Sequence, residues 1–185
     1  MRPDVGYAQG MNYYAGMLLL NCKNVESFEI MSYLLTVPIV MACFTANMQK
    51  LTTYGQIFEE VLASSAPKLQ KHLESCEYQY VTYIFDVVAS MFCANFPYIT
   101  ARKIWDYILP KPEVGIFRVG LAVFKTLEEK ILDKSAPEEI MMIVKSPCEH
   151  ADEETILQNI SKTEVSAETY YKIKEKKMAA AGITT

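Results

Sequence analysis

Histidine, glycine, paired cysteine and excess charge are all scarce in this chain, and each scarcity closes off a class of function. The only two histidines, His72 and His150, lie far apart among 185 residues. A Ser-His-Asp or Cys-His arrangement therefore has little support. The P-loop, G-x-S-x-G, H-E-x-x-H and G-x-G-x-x-G patterns are missing as well. Glycine occurs seven times, and clean period-two alternation is rare, which argues against a β-sandwich or barrel. Lysine and arginine number 18 against 22 acidic residues, a net charge of −4. Without surplus cations to replace counterions, a nucleic-acid partner is not expected. The five cysteines (Cys22, Cys43, Cys76, Cys93 and Cys148) are odd in number and form no C-x-x-C. They read as buried, reduced small hydrophobes. Cys148 and His150 offer two soft ligands but no complete set, so no metal is expected.

Long hydrophobic runs are also absent in clean form. Ile30 to Gln49 carries no charge and is long enough to span a bilayer. It contains Ser32, Thr36, Pro38, Thr45 and Asn47, however. The polar groups weaken insertion and the proline breaks the middle. The run reads as buried helices, and no transmembrane segment is expected.

What remains is a chain that is 51% hydrophobic and 22% charged, the size of one ordinary domain. It reads as successive helices with short breaks, an all-α fold. The first spans about Gln9 to Cys22. A second begins after Asn24, a good N-cap residue. Pro38 can open a third, where its missing N–H costs nothing. Breaks follow at Ser64–Pro67 and at Pro97. The β-prone stretch Gln79–Phe92 runs too long for a strand and is assigned to helix. Phe117 to Ile131 recurs at three- and four-residue steps as one long helix. Ser135 and Glu138 have the spacing of a capping box. Two more polar helices cover about Asp152–Ile160 and Ser166–Met178. Lys172 to Lys177 (KIKEKK) reads as complementing the negative end of the last helix rather than as a basic binding patch.

One segment carries chemistry. Pro3-Asp4 initiates a turn, Gly6 suits an unusual backbone, and Gly10 leaves an open flank beside Gln9. A glutamine at a helix start offers one donor and one acceptor, the pair that orients an attacking water. The same residue could equally cap or hydrogen-bond a neighbouring loop.

The stretch RPDVGYAQGMNYYAGMLLL (residues 2–20) resembles the glutamine-finger motif of TBC-domain GTPase-activating proteins, which act on Rab GTPases. Pro67-Lys68-Leu69-Gln70-Lys71-His72-Leu73 resembles that family's P-x-L-x-x-H-L helix. ASMFCANFP (89–97) with Arg102, Trp105 and Asp106 resembles its later aromatic helix and R-x-W-D element. Ile116–Leu127 resembles the helix after it. The resemblance implies a multi-helix TBC-like fold over residues 1–178, with 179–185 as a tail. It implies a Rab-family small GTPase as partner, and Gln9 as a finger positioning the hydrolytic water in trans. Asp4, Gly6, Tyr7 and Gly10 support that finger. Arg102, Trp105 and Asp106 are structural, with Arg102 and Asp106 one turn apart and able to pair. His72 becomes a packed, hydrogen-bonded residue. No cofactor is its own, since GTP and Mg²⁺ ride on the partner. Vesicle trafficking, a cytoplasmic location and peripheral contact with endomembranes follow.

Two departures bear on activity. Val87 stands where the family carries tryptophan, implying different packing. The family's arginine finger belongs to an I-x-x-D-x-x-R motif well before the glutamine motif, and Met1 leaves it no room here. That finger contributes roughly 10³–10⁵ in rate. The expectation is a domain lacking its N-terminal helices, with apolar surface exposed where they would sit. Its alternative function is a catalytically inactive module that binds a Rab or another partner.

Overall fold

The computed structural model describes residues 6–183, and among these there are twelve α-helices and no strand. They are α1 (Met11–Asn21), α2 (Asn24–Leu34), α3 (Pro38–Phe44), α4 (Met48–Ser65), α5 (Pro67–Ser75) and α6 (Tyr80–Ser90). There follow α7 (Tyr98–Ile108), α8 (Pro112–Thr126), α9 (Glu128–Leu132), α10 (Pro137–Lys145), α11 (Glu153–Lys162) and α12 (Ala167–Ala180). Four helices open on a proline: α3, α5, α8 and α10. The ring fixes φ near the helical value at a position whose N–H has no partner to lose. Side chains cap three others. Asn47 accepts from the Lys50 amide at 3.0 Å, Asp152 from the Thr155 amide at 3.0 Å, and Ser166 from the Thr169 amide at 3.4 Å.

The centre is built by α4, α6 and α8, with α12 laid against α4. Phe58 of α4 is fully buried and meets Tyr83 of α6 and Phe117 and Phe124 of α8, with ring centroids 5.3–5.7 Å apart. Such tilted and edge-on contacts add to the burial of the rings themselves. Tyr170 extends the cluster to α12, 4.8 Å from the Phe117 ring. A buried ion pair fixes the same helix. Lys174 Nζ lies 2.6 Å from Glu113 Oε2, and Tyr54 donates its hydroxyl to Glu113 Oε1 at 2.8 Å. Lys177 reaches Glu60 at 3.1 Å. Lys174, Lys176 and Lys177 of KIKEKK therefore reach neighbouring helices, while Lys172 pairs with Glu168 on its own helix, which goes beyond a response to the helix end.

Four local expectations are corrected. The cap position of α2 is Lys23, whose amide donates to the Glu26 carboxylate at 3.0 Å, and Asn24 is already helical. The long helix expected over Phe117–Ile131 starts earlier, at Pro112, and breaks at Leu127. Leu127 leaves the helical backbone while its side chain stays buried, so core packing sets the break. Ser135 does not cap α10, because Pro137 starts the helix one residue late and places Ala136 at the cap. The Arg102–Asp106 ion pair does not form.

The uncharged run Ile30–Gln49 is divided among α2, α3 and the start of α4. The axes of α2 and α3 differ by 88°, and no single helix among the described residues is long and apolar enough to cross a membrane. Ile39, Val40 and Ala42 of α3 are buried within the protein.

Candidate functional site

Residues 8–11 close a turn, with the Met11 amide donating to the Ala8 carbonyl at 3.2 Å. Gly10 occupies its third position at φ 107°, the left-handed region that side chains resist. The Gly10 flank is not open. Its backbone presses on α6, where an added Cβ would stand 2.2 Å from the Ala89 carbonyl oxygen. One turn on, fully buried Tyr14 donates its hydroxyl to the Val88 carbonyl. Burial raises the Tyr14 pKa well above its ordinary value, so the phenol remains a donor. Two adjacent carbonyls at the end of α6 thus fix the start of α1.

Trp105 of α7 secures that end of α6 from the other side. It is 3% exposed, and its indole N–H donates to the Met91 carbonyl at 2.9 Å. Met91 and Phe92 carry positive φ values of 47° and 62°. These strained residues turn the chain out of α6 and are held by burial on both side chains. Tyr14 meets Trp105 edge-on at 5.9 Å. The glutamine segment, the ASMFCANFP turn and the tryptophan therefore form one packed unit, although they come from three parts of the sequence.

On this unit Gln9 is exposed and makes no hydrogen bond to another described residue. The α1 terminus has no side-chain cap, so the loop-bonding role open to Gln9 from sequence is not taken up among those residues. Tyr7 is 78% exposed, and a Cβ added to Gly6 would have nothing within 4 Å of it. Arg102 and Asp106 line a shallow concavity with Trp105 beside the far end of α1. Asp4 and Arg2 lie outside the described residues. Sequence reasoning missed Ala89, Val88 and Met91 because their contribution is backbone carbonyl, which leaves no residue-type signal.

The other chemistry-bearing groups are in supporting positions. His72 donates its Nε2–H to the Lys134 carbonyl at 2.7 Å. Burial pushes the Cys43 thiol up to about 12 and the Cys93 thiol up to about 11, which keeps both protonated and unreactive near neutrality. No group of three or more His, Cys, Asp or Glu among the described residues is placed to hold a metal ion. Val87 is 1% exposed in the core. Leu19 and Leu20 of α1 and Val25 and Phe28 of α2, two helices that pack together, are 56–69% exposed.

The model of the Rab-GTPase-TBC domain family matches residues 1–132, more than half of the chain. This chain belongs to that TBC family. TBC1 domain family member 14 from Rattus norvegicus is 33% identical over 69% of the chain and 18% of its own length. TBC1 domain family member 12 from Mus musculus is 30% identical over 71% of the chain and 19% of its own length. The chain thus spans under a fifth of these curated relatives. A crystal structure of the Chlamydomonas flagellar RabGAP TBC domain superposes with a TM-score of 0.66 at 21% identity, covering 84% of this chain and 52% of that one. The all-α architecture is therefore a TBC fold. Three of its motifs meet in the Gly10–Ala89–Trp105 unit.

Proposed function

We propose that this TBC chain serves GTPase activation of a Rab-family small GTPase, with Gln9 entering the partner's site in trans. The observation that carries this reading is the exposed carboxamide of Gln9, unbonded among the described residues, on a turn whose backbone is fixed by Gly10 against Ala89. A finger must be exposed at its tip and rigid at its root, because only a preorganised group lowers the barrier without reorganising first. The carboxamide accepts one hydrogen from the attacking water and donates toward the phosphoryl oxygens. GTP and Mg²⁺ are carried by the partner, and the chain needs no cofactor of its own. Such a role places the protein in the cytoplasm in vesicle trafficking, with peripheral contact to endomembranes where Rab proteins act.

The test is phosphate release from a panel of GTP-loaded Rab proteins, using the full-length gene product and its Gln9→Ala version. Loss of stimulation by roughly tenfold or more for the responsive Rab is expected. Equal rates for the two proteins would remove the finger role. Nucleotide-dependent binding with no stimulation by either protein would establish the alternative, an inactive Rab-binding module.

A further inference from the structure

Two stretches of chain meet at the Gly10–Ala89 contact, residues 6–21 and residues 79–92, and between them they carry one charged residue, Asp86. The chain as a whole is 22% charged. Asp86 is itself engaged: it lies 2.9 Å from Lys145 Nζ and accepts from the Asn95 side-chain amide at 3.1 Å. These stretches therefore offer a partner almost no charge to recognise beside Gln9.

They offer aromatic surface instead. Gly10 lies against the outward side of α6, where Thr82, Phe85, Asp86 and Ala89 are exposed or half-buried at helical spacing. Phe85 stands one turn before Ala89, about 6 Å along the axis. It is 43% exposed, whereas Tyr80, Tyr83 and Ile84 of the same helix are buried. Tyr13 is 41% exposed and stands one turn into α1. Tyr7 projects from the loop before the finger. Single exposed rings are ordinary on a protein surface, but these three flank one exposed glutamine, from the loop before it, the helix after it and the helix beneath it. An interface of standard size buries about 800 Å² on each partner, equal to a disc of about 16 Å radius. A GTPase that receives Gln9 near the middle of such a disc covers Phe85 and Tyr13.

Within the Rab-directed role above, we propose that Phe85 and Tyr13 are the anchors that seat the GTPase on Gln9, selecting a partner with an apolar face beside its nucleotide site. Aromatic side chains carry much of the binding energy of an interface once the surrounding contacts exclude water. That energy holds the finger in register with the attacking water. Neither ring touches the reacting atoms, so both are positioning residues. A GTPase presenting a charge opposite Phe85 would bury it without a counter-charge and is rejected.

The test measures phosphate release and binding with the responsive GTP-loaded Rab, using the full-length gene product. Phe85→Ala is expected to raise KM and weaken binding at least fivefold with kcat within twofold, the mark of lost uniform binding. Tyr13→Ala acts in the same direction. Gln9→Ala shows the opposite split, a lower kcat at nearly unchanged KM. Phe85→Tyr keeps a ring and stays within twofold of the parent protein, while Phe85→Gln repeats the alanine loss with a side chain suited to an exposed helix. Tyr171→Ala removes an exposed ring from α12, which packs on α4, and leaves both constants within twofold. Unchanged KM and binding in Phe85→Ala and Phe85→Gln, or an equal loss in Tyr171→Ala, would overturn the anchor role and leave the finger role standing. A parent protein that binds without stimulating is compared by the binding arm alone. One that neither binds nor stimulates any Rab of the panel would remove both roles. Circular dichroism melts confirm that each variant is folded.

Discussion

Gly10 and Ala89, 79 positions apart in the chain, are in backbone contact so close that no side chain fits between them. A Cβ on Gly10 would lie 2.2 Å from the Ala89 carbonyl oxygen. The contact decides where α1 begins and therefore where Gln9 is held.

Gly10→Ala combines a left-handed backbone with this overlap. Destabilisation of at least about 2 kcal/mol is expected in urea unfolding. Gly6→Ala, with open space around the added methyl, should stay within about 0.5 kcal/mol of the parent. Similar losses in both variants would show that the α6 contact is not what demands glycine.

Trp105→Phe keeps a ring in the core and deletes the N–H that reaches the Met91 carbonyl. A loss of about 1–3 kcal/mol is expected from the unpaired carbonyl and the vacated volume. Amide exchange should rise at the end of α6 and the start of α1. Faster exchange confined to α7 would contradict the link between the tryptophan and the glutamine turn.

Lys174→Met leaves Glu113 buried with Tyr54 alone, since the lysine and glutamate side chains are only 11% and 6% exposed. The cost should be about 3–5 kcal/mol. Adding Glu113→Gln should recover most of it, because a neutral amide can still bond to Tyr54. Equal stability of single and double variants would argue against an uncompensated charge as the cause.

The buried thiols make stability fall in alkali. Cys43 and Cys93 ordinarily titrate near 9.0, and the folded protein raises them to about 12 and about 11. Above pH 9 the unfolded chain releases these protons while the folded chain retains them. The unfolded state then binds fewer protons, and stability drops as pH rises from 9 toward 12. Urea midpoints at pH 8 and pH 10.5 measure the fall, and Cys43→Ala should reduce it. An unchanged slope in that variant would assign the fall to the buried tyrosines.

Much of this was legible in local chemistry. Pro38 announces a helix start and Pro67 a break between helices, because proline constrains its own φ and the residue before it, whereas the starts at Pro112 and Pro137 were missed. Gln9 stands out because amide, glycine and aromatic fall together. The break at Leu127 was illegible, since the 3.6-residue period continues through it and only core packing interrupts it. Ser135 has the right spacing for a cap, but Pro137 sets the first helical position and puts Ala136 at the cap, one residue along. The Arg102–Asp106 spacing permits a pair that exposed side chains have little reason to form.

By itself, the sequence determined the all-α class and most of the helix order, which depend on interactions a few residues long, while the finger role of Gln9 came from the family resemblance of its motif. Only the tertiary structure decided that Ala89 fixes Gly10, that Trp105 holds the turn beneath them, and that Lys174 is buried against Glu113. Each joins distant stretches of chain, and several act through backbone carbonyls that every residue carries. Such contacts are selected by how the helices pack.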